Sequence, residues 1–597
     1  MKQDEGHPFL WNIILYFVSH FISRNIESMK ILHLIFSTSS VFLILKFSPF
    51  NKLIKVLLIF SYFLFFEYSI ISRNYAIEIL LIIIFCILYK NKYKNILSIS
   101  VVLFLLSSCN IYAFFFSVIF IIVLIYDYIK QRKNEAKKAG KIKTLFSALI
   151  ALSGIAMVYF QIGNQLLSNA FILDPFSESL FQNYLIKLKT LPNVIINAFI
   201  QIPEIKTDFW NTNLFLNSVL NNNLILKSAV ALIILLLSAY LLSNKFKFVY
   251  IVSTFLFFNF MILFYFGLMR HWGQIFILFF ACVWLSIKDN EDNNFYNVKN
   301  RKIILNCFLI IILVSSVTAS AIASYFDYTR PFSNSKKTAE YIKDKFNPEE
   351  LIIAGHKDYA VEPVSGYLDK EFYYPEEKIF TRNVGWTLRK ETTAIEIYED
   401  IINIKLKNPD KRIMFIKSNF NLIPGWEEIK DEFTFLNDFT GSIVFDEDYE
   451  LFLLKNDINS ELIKKIDYTN YKDILKNINN CDLVLKDNKK LLLESHNNDP
   501  NFEFDFSSVS LNKTDELFIR IIIELEDKSD LTIYYKRNDS SSYDEKDSTI
   551  RGLRKGPNDI LVKVEDFLNL ESMRLDPLNT LDNGIIEKIE IYKIIKE

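Results

Sequence analysis

Long apolar runs, each close to the length of a membrane-crossing helix, follow one another through residues 29–324 and then stop. A bilayer core of about 30 Å needs about 20 mostly apolar residues in a helix, because lipid offers no water to satisfy backbone groups. On that measure ten spans are expected, over residues 29–46, 53–70, 73–89, 95–109, 111–128, 144–163, 225–243, 248–267, 271–287 and 303–324. The fourth is short and abuts the fifth through Ser107, Ser108, Cys109 and Asn110, which read as a tight turn between two helices. Residues 164–224 read as a long connection.

From Arg330 the pattern turns amphipathic and charged. Residues 335–346 and 392–406 carry helical spacing, while 351–354 and 412–416 are short apolar runs that read as strands. Helix alternating with strand points to an exterior α/β domain. Past residue 460 the period changes to two: F-E-F-D-F, L-F-I-R-I-I-I-E-L, L-T-I-Y-Y and I-E-K-I-E-I-Y are separated by turn residues, which is the pattern of a β-sandwich. Arg537–Asp547 is polar and reads as a mobile loop. The expected architecture is therefore a polytopic α-helical membrane domain over 1–328, an exterior α/β domain over 329–459 and an exterior β-sandwich-like domain over 460–597.

Composition sharpens this division. The chain is 51% hydrophobic with 55 Phe, and its formal net charge of -1 hides a split. Residues 1–330 hold 29 Lys+Arg against 15 Asp+Glu, whereas 331–597 hold 38 against 53, so the two parts carry +14 and -15. Nineteen basic residues of the first part fall in five alternate loops, the densest being 130–143, and ten fall on the other side. Basic loops stay cytoplasmic. Residues 1–28 and everything after the last span are thus expected outside. No basic stripe exists beyond the short loops, which argues against nucleic acid as a partner. The five cysteines show no disulfide framework and no metal-spaced pair.

An acidic N-terminal tail placed outside needs something to carry it there, and the sequence begins with no signal peptide. Either the short tail crosses unaided, drawn by the basic loop behind the first span, or, as the favoured expectation, a further helix lies upstream of Met1.

Three polar clusters fall on the expected outer face. Asp4, Glu5 and His7, before Pro8, offer a carboxylate pair beside an imidazole, suited to general base catalysis or to a divalent ion, or they form a solvated tail. Glu67, Arg73 and Tyr75 lie between two spans, with Glu78 one turn into the next. Arg73 is the one cation of its loop, and a planar guanidinium suits phosphate. It equally suits an interface arginine neutralised by Glu67 or Glu78. The third cluster, G-L-M-R-H-W-G, places Arg270, His271 and Trp272 at the mouth of another span, either for anion recognition or as an aromatic-belt anchor. All three gather on one face, where the phosphate of a lipid head would lie.

The runs D-E-G-H-P-F-L, E-Y-S-I-I-S-R-N-Y-A and R-H-W-G, in that order and on that side, resemble those of the C-type (GT-C) multi-spanning glycosyltransferases. These include dolichyl-phosphate-mannose protein mannosyltransferases and bacterial transferases that use polyprenyl-phosphate sugars. The resemblance covers roughly residues 1–325. Asp4 and Glu5 match the acidic pair of the first outer loop, His7 and Pro8 the His-Pro that follows, and Glu67, Arg73, Tyr75 and Ala76 the later motif. Phe9 stands where a second proline is common, Glu67 is farther from Arg73 than usual, and helix one is missing. The segment M-R-L-D-P-L-N-T-L-D-N-G-I-I-E-K-I-E-I resembles the end of a β-sandwich module appended to bacterial glycosyltransferases.

The resemblance implies an inverting transferase that moves a sugar from a polyprenyl-phosphate carrier to a lipid, glycan or protein acceptor on the outer face. Asp4, or else Glu5, would be the catalytic base. His7, Glu67, Arg73, Tyr75, Arg270 and His271 would bind donor phosphate and substrate. The resemblance fixes no cofactor; acidic pairs bind a divalent ion in some members and act alone in others, and Asp4 and Glu5 would hold such a metal if one takes part. Two rivals compete with this reading: a transporter or flippase of lipid-linked glycan, and a non-enzymatic surface protein anchored by its spans.

Overall fold

The computed structural model describes residues 8–130, 140–171, 178–221, 223–289, 299–385, 389–420, 422–455, 459–486, 490–497, 499–505, 515–538, 542–579 and 583–595. The chain divides into two compact units, 1–332 and 333–597.

The first unit is helical: α1 Leu10–Phe21, α2 Glu27–Phe47, α3 Lys52–Ile59, α4 Tyr75–Tyr89, α5 Ile96–Ser107, α6 Ile111–Lys130, α7 Lys141–Phe171, α8 Glu178–Phe199, α9 Leu224–Tyr240, α10 Asn244–Leu263, α11 Met269–Lys288 and α12 Lys299–Thr329. Among the described residues six helices are long and apolar enough to cross a membrane, over Glu27–Phe47, Ile111–Lys130, Ile142–Gln161, Asn244–Leu263, Met269–Lys288 and Asn300–Thr329. Four more are apolar but shorter: Leu10–Phe21, Tyr75–Tyr89, Ile96–Ser107 and Leu224–Tyr240.

Local chemistry sets several helix starts. Asn51, Asn110 and Asn223 each accept from the backbone N–H three residues on, at 2.9, 2.9 and 3.0 Å, and so satisfy donors that the first turn leaves unpaired. The turn expected at 107–110 is where α5 gives way to α6.

The helical unit departs from the sequence-based expectation in three places. Residues 10–21, expected as part of an exterior tail, form α1. The connection expected over 164–224 contains α8 and the end of α7. Lys187, Lys189 and Pro192 break the apolar run of α8, so its helical character rests on packing against α9 and α11 instead. The expected span 53–70 is not one helix either: α3 ends at Ile59 and a π-helical turn, Tyr62–Glu67, follows. There the Tyr62 N–H donates to Ser316 Oγ of α12 at 3.0 Å, which anchors the break.

Among the described residues the second unit contains three sheets. In the first, strands β1 Leu351–His356, β2 Phe372–Tyr374, β3 Ile379–Thr381, β4 Arg412–Ser418, β5 Phe433–Phe439 and β6 Tyr449–Leu454 lie in the order β3-β2-β1-β4-β6-β5, with β1 parallel to β2 and β4. Helices α13 Ser335–Lys345, α14 Asp358–Leu368 and α15 Ala394–Lys407 accompany it. A reciprocal cap starts α15: Glu396 Oε2 accepts from the Thr393 N–H at 2.9 Å and Thr393 Oγ1 accepts from the Glu396 N–H at 3.4 Å.

The remaining strands are β7 Asn459–Ile466, β8 Lys476–Asn479, β9 Cys481–Lys486, β10 Lys490–Ser495, β11 Asn501–Asp505, β12 Glu516–Leu525, β13 Ser529–Arg537, β14 Ser548–Leu553, β15 Gly556–Val564, β16 Leu570–Asp576 and β17 Asn583–Ile595. They build a sheet ordered β15-β12-β17-β10-β9, with β7 also on β17, and a second ordered β14-β13-β16-β11-β8. Leu517, Ile519 and Ile521 of β12 point into the core between these sheets, with Phe504, Ile533 and Met573. Phe518, on the opposite face, packs with Leu561 and Ile594 against Tyr398 and Ile401 of α15. Both faces of β12 are thus buried, which explains why its sequence is nearly continuously apolar. The stretches expected as separate domains, 329–459 and 460–597, share this core within one compact unit.

The loop expected to be mobile, Arg537–Asp547, is clamped at its base. Arg537 Nε and Nη2 donate to the two oxygens of Asp547, each at 2.8 Å.

Candidate functional site

Contacts separate the two ends of the helical unit. At one end, Leu10 N–H donates to the Ser108 carbonyl at 3.2 Å, and Asn74, just before α4, donates to the Cys109 carbonyl at 3.2 Å. The starts of α1, α4 and α6 therefore meet. At the opposite end, Lys92 just past α4 and Lys245 in the first turn of α10 grip Asp127, in the last turn of α6, at 2.6 and 3.0 Å.

The first end collects the residues expected to form a site. Glu67 closes the π-helical turn and is buried. Its Oε2 accepts from Tyr62 Oη and from Trp210 Nε1, both at 3.1 Å, while Oε1 has no hydrogen-bond partner. The Arg270 guanidinium lies over the Trp210 ring, 5.7 Å from its centroid. Arg73 and Arg270 both act electrostatically on Glu67 and on Tyr75. Arg73 is exposed, Arg270 half-buried and Tyr75 buried, so the cluster grades from solvent to interior.

His271 sits beneath. Its Nδ1 accepts from the Leu268 N–H at 2.8 Å, and its ring packs among Tyr75, Tyr112 and Tyr265 at 6.2, 5.7 and 5.1 Å. Two glycines of the G-L-M-R-H-W-G run are required by this geometry. Gly267 has φ +78°, and a Cβ there would stand 2.9 Å from the His271 ring. A Cβ on Gly273 would fall 2.3 Å from Phe63 and 2.5 Å from the Tyr68 hydroxyl. Trp272 braces the same corner by donating to the Phe266 carbonyl at 3.1 Å.

Glu78 finds amide partners. Asn110 Nδ2 donates to it at 2.6 Å and Gln274 Nε2 at 3.4 Å, leaving Oε1 without a partner. Gln274 Nε2 also reaches the Tyr68 hydroxyl at 3.4 Å, and that hydroxyl donates to the Arg270 carbonyl at 2.6 Å. The Glu78 layer and the Glu67 layer are thereby linked through α11.

The structure thus brings Glu67, Arg73, Tyr75, Arg270 and His271 together, from the π-helical turn, the loop after it, α4 and α11. Asp4, Glu5 and His7 lie outside the described residues. Residues that follow them do not: Phe9 N–H donates to Gln161 Oε1 at 3.4 Å, and Trp11 packs edge-on to the buried His33 at 6.2 Å. Among the described residues no group of three or more His, Cys, Asp or Glu is placed to hold a metal ion.

Sequence reasoning missed Tyr62, Trp210, Asn110 and Gln274. Trp210 follows Asp208 and Phe209 in a stretch read as connection, and no local pattern pairs it with Glu67, 143 residues away. Gln274 offered a faint signal, a carboxamide within an otherwise apolar span.

What this arrangement can do chemically follows from its charges. Two guanidiniums beside a buried carboxylate and a phenol can hold a phosphate at the surface while the acid fixes their orientation. Buried polar atoms without partners, here on Glu67, Glu78, Arg270 and Gln274, each cost about 1–3 kcal/mol and call for a reason other than stability.

No family model matches the chain, and no curated protein does. Two solved structures similar to it are carbohydrate-binding modules of family 29. CBM29_1 from Piromyces equi is 12% identical, with 23% of this chain and 90% of that chain covered at a TM-score of 0.17. A point mutant of CBM29-2 is 10% identical, with 23% and 82% covered at a TM-score of 0.15. Similarity at this level carries no functional weight.

Proposed function

We propose that the protein is an integral membrane glycosyltransferase that transfers a sugar from a polyprenyl-phosphate carrier to an acceptor on the outer face of the membrane. The seating of Arg270 over the Trp210 ring that donates to Glu67, with Arg73 a few residues after Glu67 and about 200 residues from Arg270 in sequence, is the observation that carries this reading. On the ten spans expected from the sequence, with the basic loops cytoplasmic, those residues and 333–597 lie outside.

In this mechanism the acceptor hydroxyl oxygen attacks the anomeric carbon as Asp4, with Glu5 as its alternate, takes the hydroxyl proton. The bond between that carbon and the phosphate oxygen breaks, and polyprenyl phosphate leaves with the electron pair. Single displacement inverts the anomeric centre. Arg73 and Arg270 bind the phosphate and stabilise the charge that grows on it, and such fixed electrostatic stabilisation usually lowers an enzymatic barrier more than proton transfer does. Glu67 and Trp210 orient Arg270, and His271 shapes the wall behind Tyr75. A divalent ion at Asp4 and Glu5 would have to complete its ligand set from substrate and water.

The flippase reading expects polar groups midway along several helices. Glu78, Asn110 and Gln274 instead lie at or near the starts of α4, α6 and α11, which favours a site at one end.

The test is turnover of a radiolabelled polyprenyl-phosphate sugar by the protein in lipid nanodiscs. Release of polyprenyl phosphate that Asp4→Asn abolishes is the expected result. Equal release by Asp4→Asn removes the base assignment, and absence of turnover with any lipid-linked donor removes the transferase reading.

A further inference from the structure

We infer that the outer face of the sheet β14-β13-β16-β11-β8 carries a binding cleft for a neutral polyhydroxyl ligand, a carbohydrate, separate from the site of the proposed transfer reaction. The cleft measures about 440 Å³, within the range of small-molecule sites and wide enough for one or two sugar rings. Lys476, Glu503, Asp505, Lys536, Tyr543 and Glu571 supply most of its lining.

Two irregularities of the sheet build it. The β13–β16 register shifts between Lys536 and Arg537, where Ser572 and Leu570 are the successive partners, so Glu571 is the extra residue of a bulge. Glu571 and Ser572 consequently both line the cleft, whereas strict alternation would have turned one of them into the core. The β8–β11 register shifts as well, between Asn501 and Glu503, and Asn477 beside that shift has φ +48°. Asn477 Nδ2 donates to Glu503 Oε2 at 2.9 Å and holds that carboxylate in place. Bulges next to a concavity re-aim side chains, and here two of them serve one cleft.

The lining is held ready in advance. Lys536 Nζ donates to Glu571 Oε1 at 2.8 Å, Lys476 Nζ lies 3.4 Å from Asp505 Oδ2, and the Tyr543 and Ser572 hydroxyls are 2.9 Å apart. The clamp between Arg537 and Asp547 fixes the base of the loop that delivers Tyr543.

The balance of these groups selects the ligand class. Two lysines face three carboxylates, and the balance of one negative charge disfavours an anion. Among the described residues no trio of acidic, His or Cys groups is placed for a metal ion. The polar lining would leave an apolar ligand facing buried donors and acceptors. Ammonium donors beside carboxylate acceptors instead match adjacent sugar hydroxyls, each of which donates and accepts, and the Tyr543 ring adds an amphipathic surface for the C–H edges of a sugar.

The test is calorimetric titration of the detergent-solubilised full chain with mannotetraose, cellotetraose and chitotetraose, with inorganic phosphate as the charged control. At least one oligosaccharide is expected to bind, and the double variant Lys536→Ala with Glu571→Ala, which removes the pair together, is expected to weaken it about tenfold or more. Tyr543→Phe, which deletes one hydroxyl, is expected to weaken it about threefold and keeps the test decisive if the double variant does not fold. Binding of none of the three sugars, undiminished binding by a folded variant, or phosphate binding as tight as sugar binding overturns the inference. Turnover of the lipid-linked donor by the double variant is expected to stay within about twofold of wild type. Joint loss of turnover and sugar binding overturns the assignment of a separate site, while absence of turnover in the wild type bears on the transferase reading alone.

Discussion

The two ends of the helical unit each bury acid, and they treat it in opposite ways. At one end Asp127, with no exposed side chain, receives Tyr89, Lys92 and Lys245, and Lys245 in turn pairs with Asp289. Its oxygens are matched by cations from the loop after α4 and from α10. At the other end, roughly 22 Å away along α4 at 1.5 Å per residue, Glu67 and Glu78 each keep one oxygen without a partner, as do the Arg270 Nε and Gln274 Oε1 atoms. A closed network fixes helices to one another. An incompletely satisfied one leaves binding capacity that a ligand can complete, and this difference is why the second end reads as the site.

The strongest change is expected at Asp127. Asp127→Asn removes the charge that compensates Lys92 and part of that on Lys245, and is expected to destabilise the protein by about 3 kcal/mol or more. The measurement is the thermal midpoint in detergent, and the surviving folded fraction should keep its turnover per molecule. A variant as stable as wild type would mean that the closed network is not structural.

Arg270→Ala is next. Loss of one donor to a developing phosphate charge should lower turnover of a lipid-linked sugar about 100-fold with the thermal midpoint little changed. Equal turnover would leave the second end without a catalytic role.

The closed arrangement recurs in the other unit. Asp559 of β15 accepts from Arg520 at 2.9 and 2.8 Å and pairs with Lys407 of α15 at 2.6 Å. Burial alone would raise its carboxyl, but the bonds from Arg520 and Lys407 outweigh that and hold it at about 2. A depressed native value means the unfolded state binds the proton more readily, so the stabilisation is complete above about pH 4 and disappears as pH falls through about 2. Its size is about 2 kcal/mol. Asp559→Asn should therefore unfold more easily than wild type near pH 7 and indistinguishably below about pH 2. A constant difference across that range would assign the effect to packing.

The mildest substitution is Glu67→Gln. It keeps an acceptor for Tyr62 and Trp210, so stability should shift by less than about 1 kcal/mol while turnover falls. A midpoint drop as large as that of Asp127→Asn would place both ends in the same structural class.

Much of this was legible in advance because it is written in local periodicity. Six long apolar helices among the described residues, the turn at 107–110, the α15 helix and the strands around 517–525 and 586–592 each follow from a pattern that a short window contains. Arg73 and Arg270 stood out because they depart from the charge bias of their loops, and Tyr75 because it shares a short polar run with Arg73. The α8 helix did not, since its lysines and Pro192 disguise the pattern that tertiary packing sustains. Asp127 was equally silent: one acid near the end of an apolar run gives no sign that Lys92 and Lys245 will reach it from 35 and 118 residues away.

The division between a helical, basic first part and an acidic second part with strands is settled by the order of residues alone, because hydrophobic period and net charge are local sums. Folding in three dimensions was needed to break the second span into a π-helical turn aimed at Trp210, to join Glu78 to Tyr68 through Gln274, and to give 329–459 and 460–597 one core. Those outcomes depend on which distant surfaces meet. Pairing across more than a hundred residues is set by packing of whole elements, and no window of the chain encodes it alone.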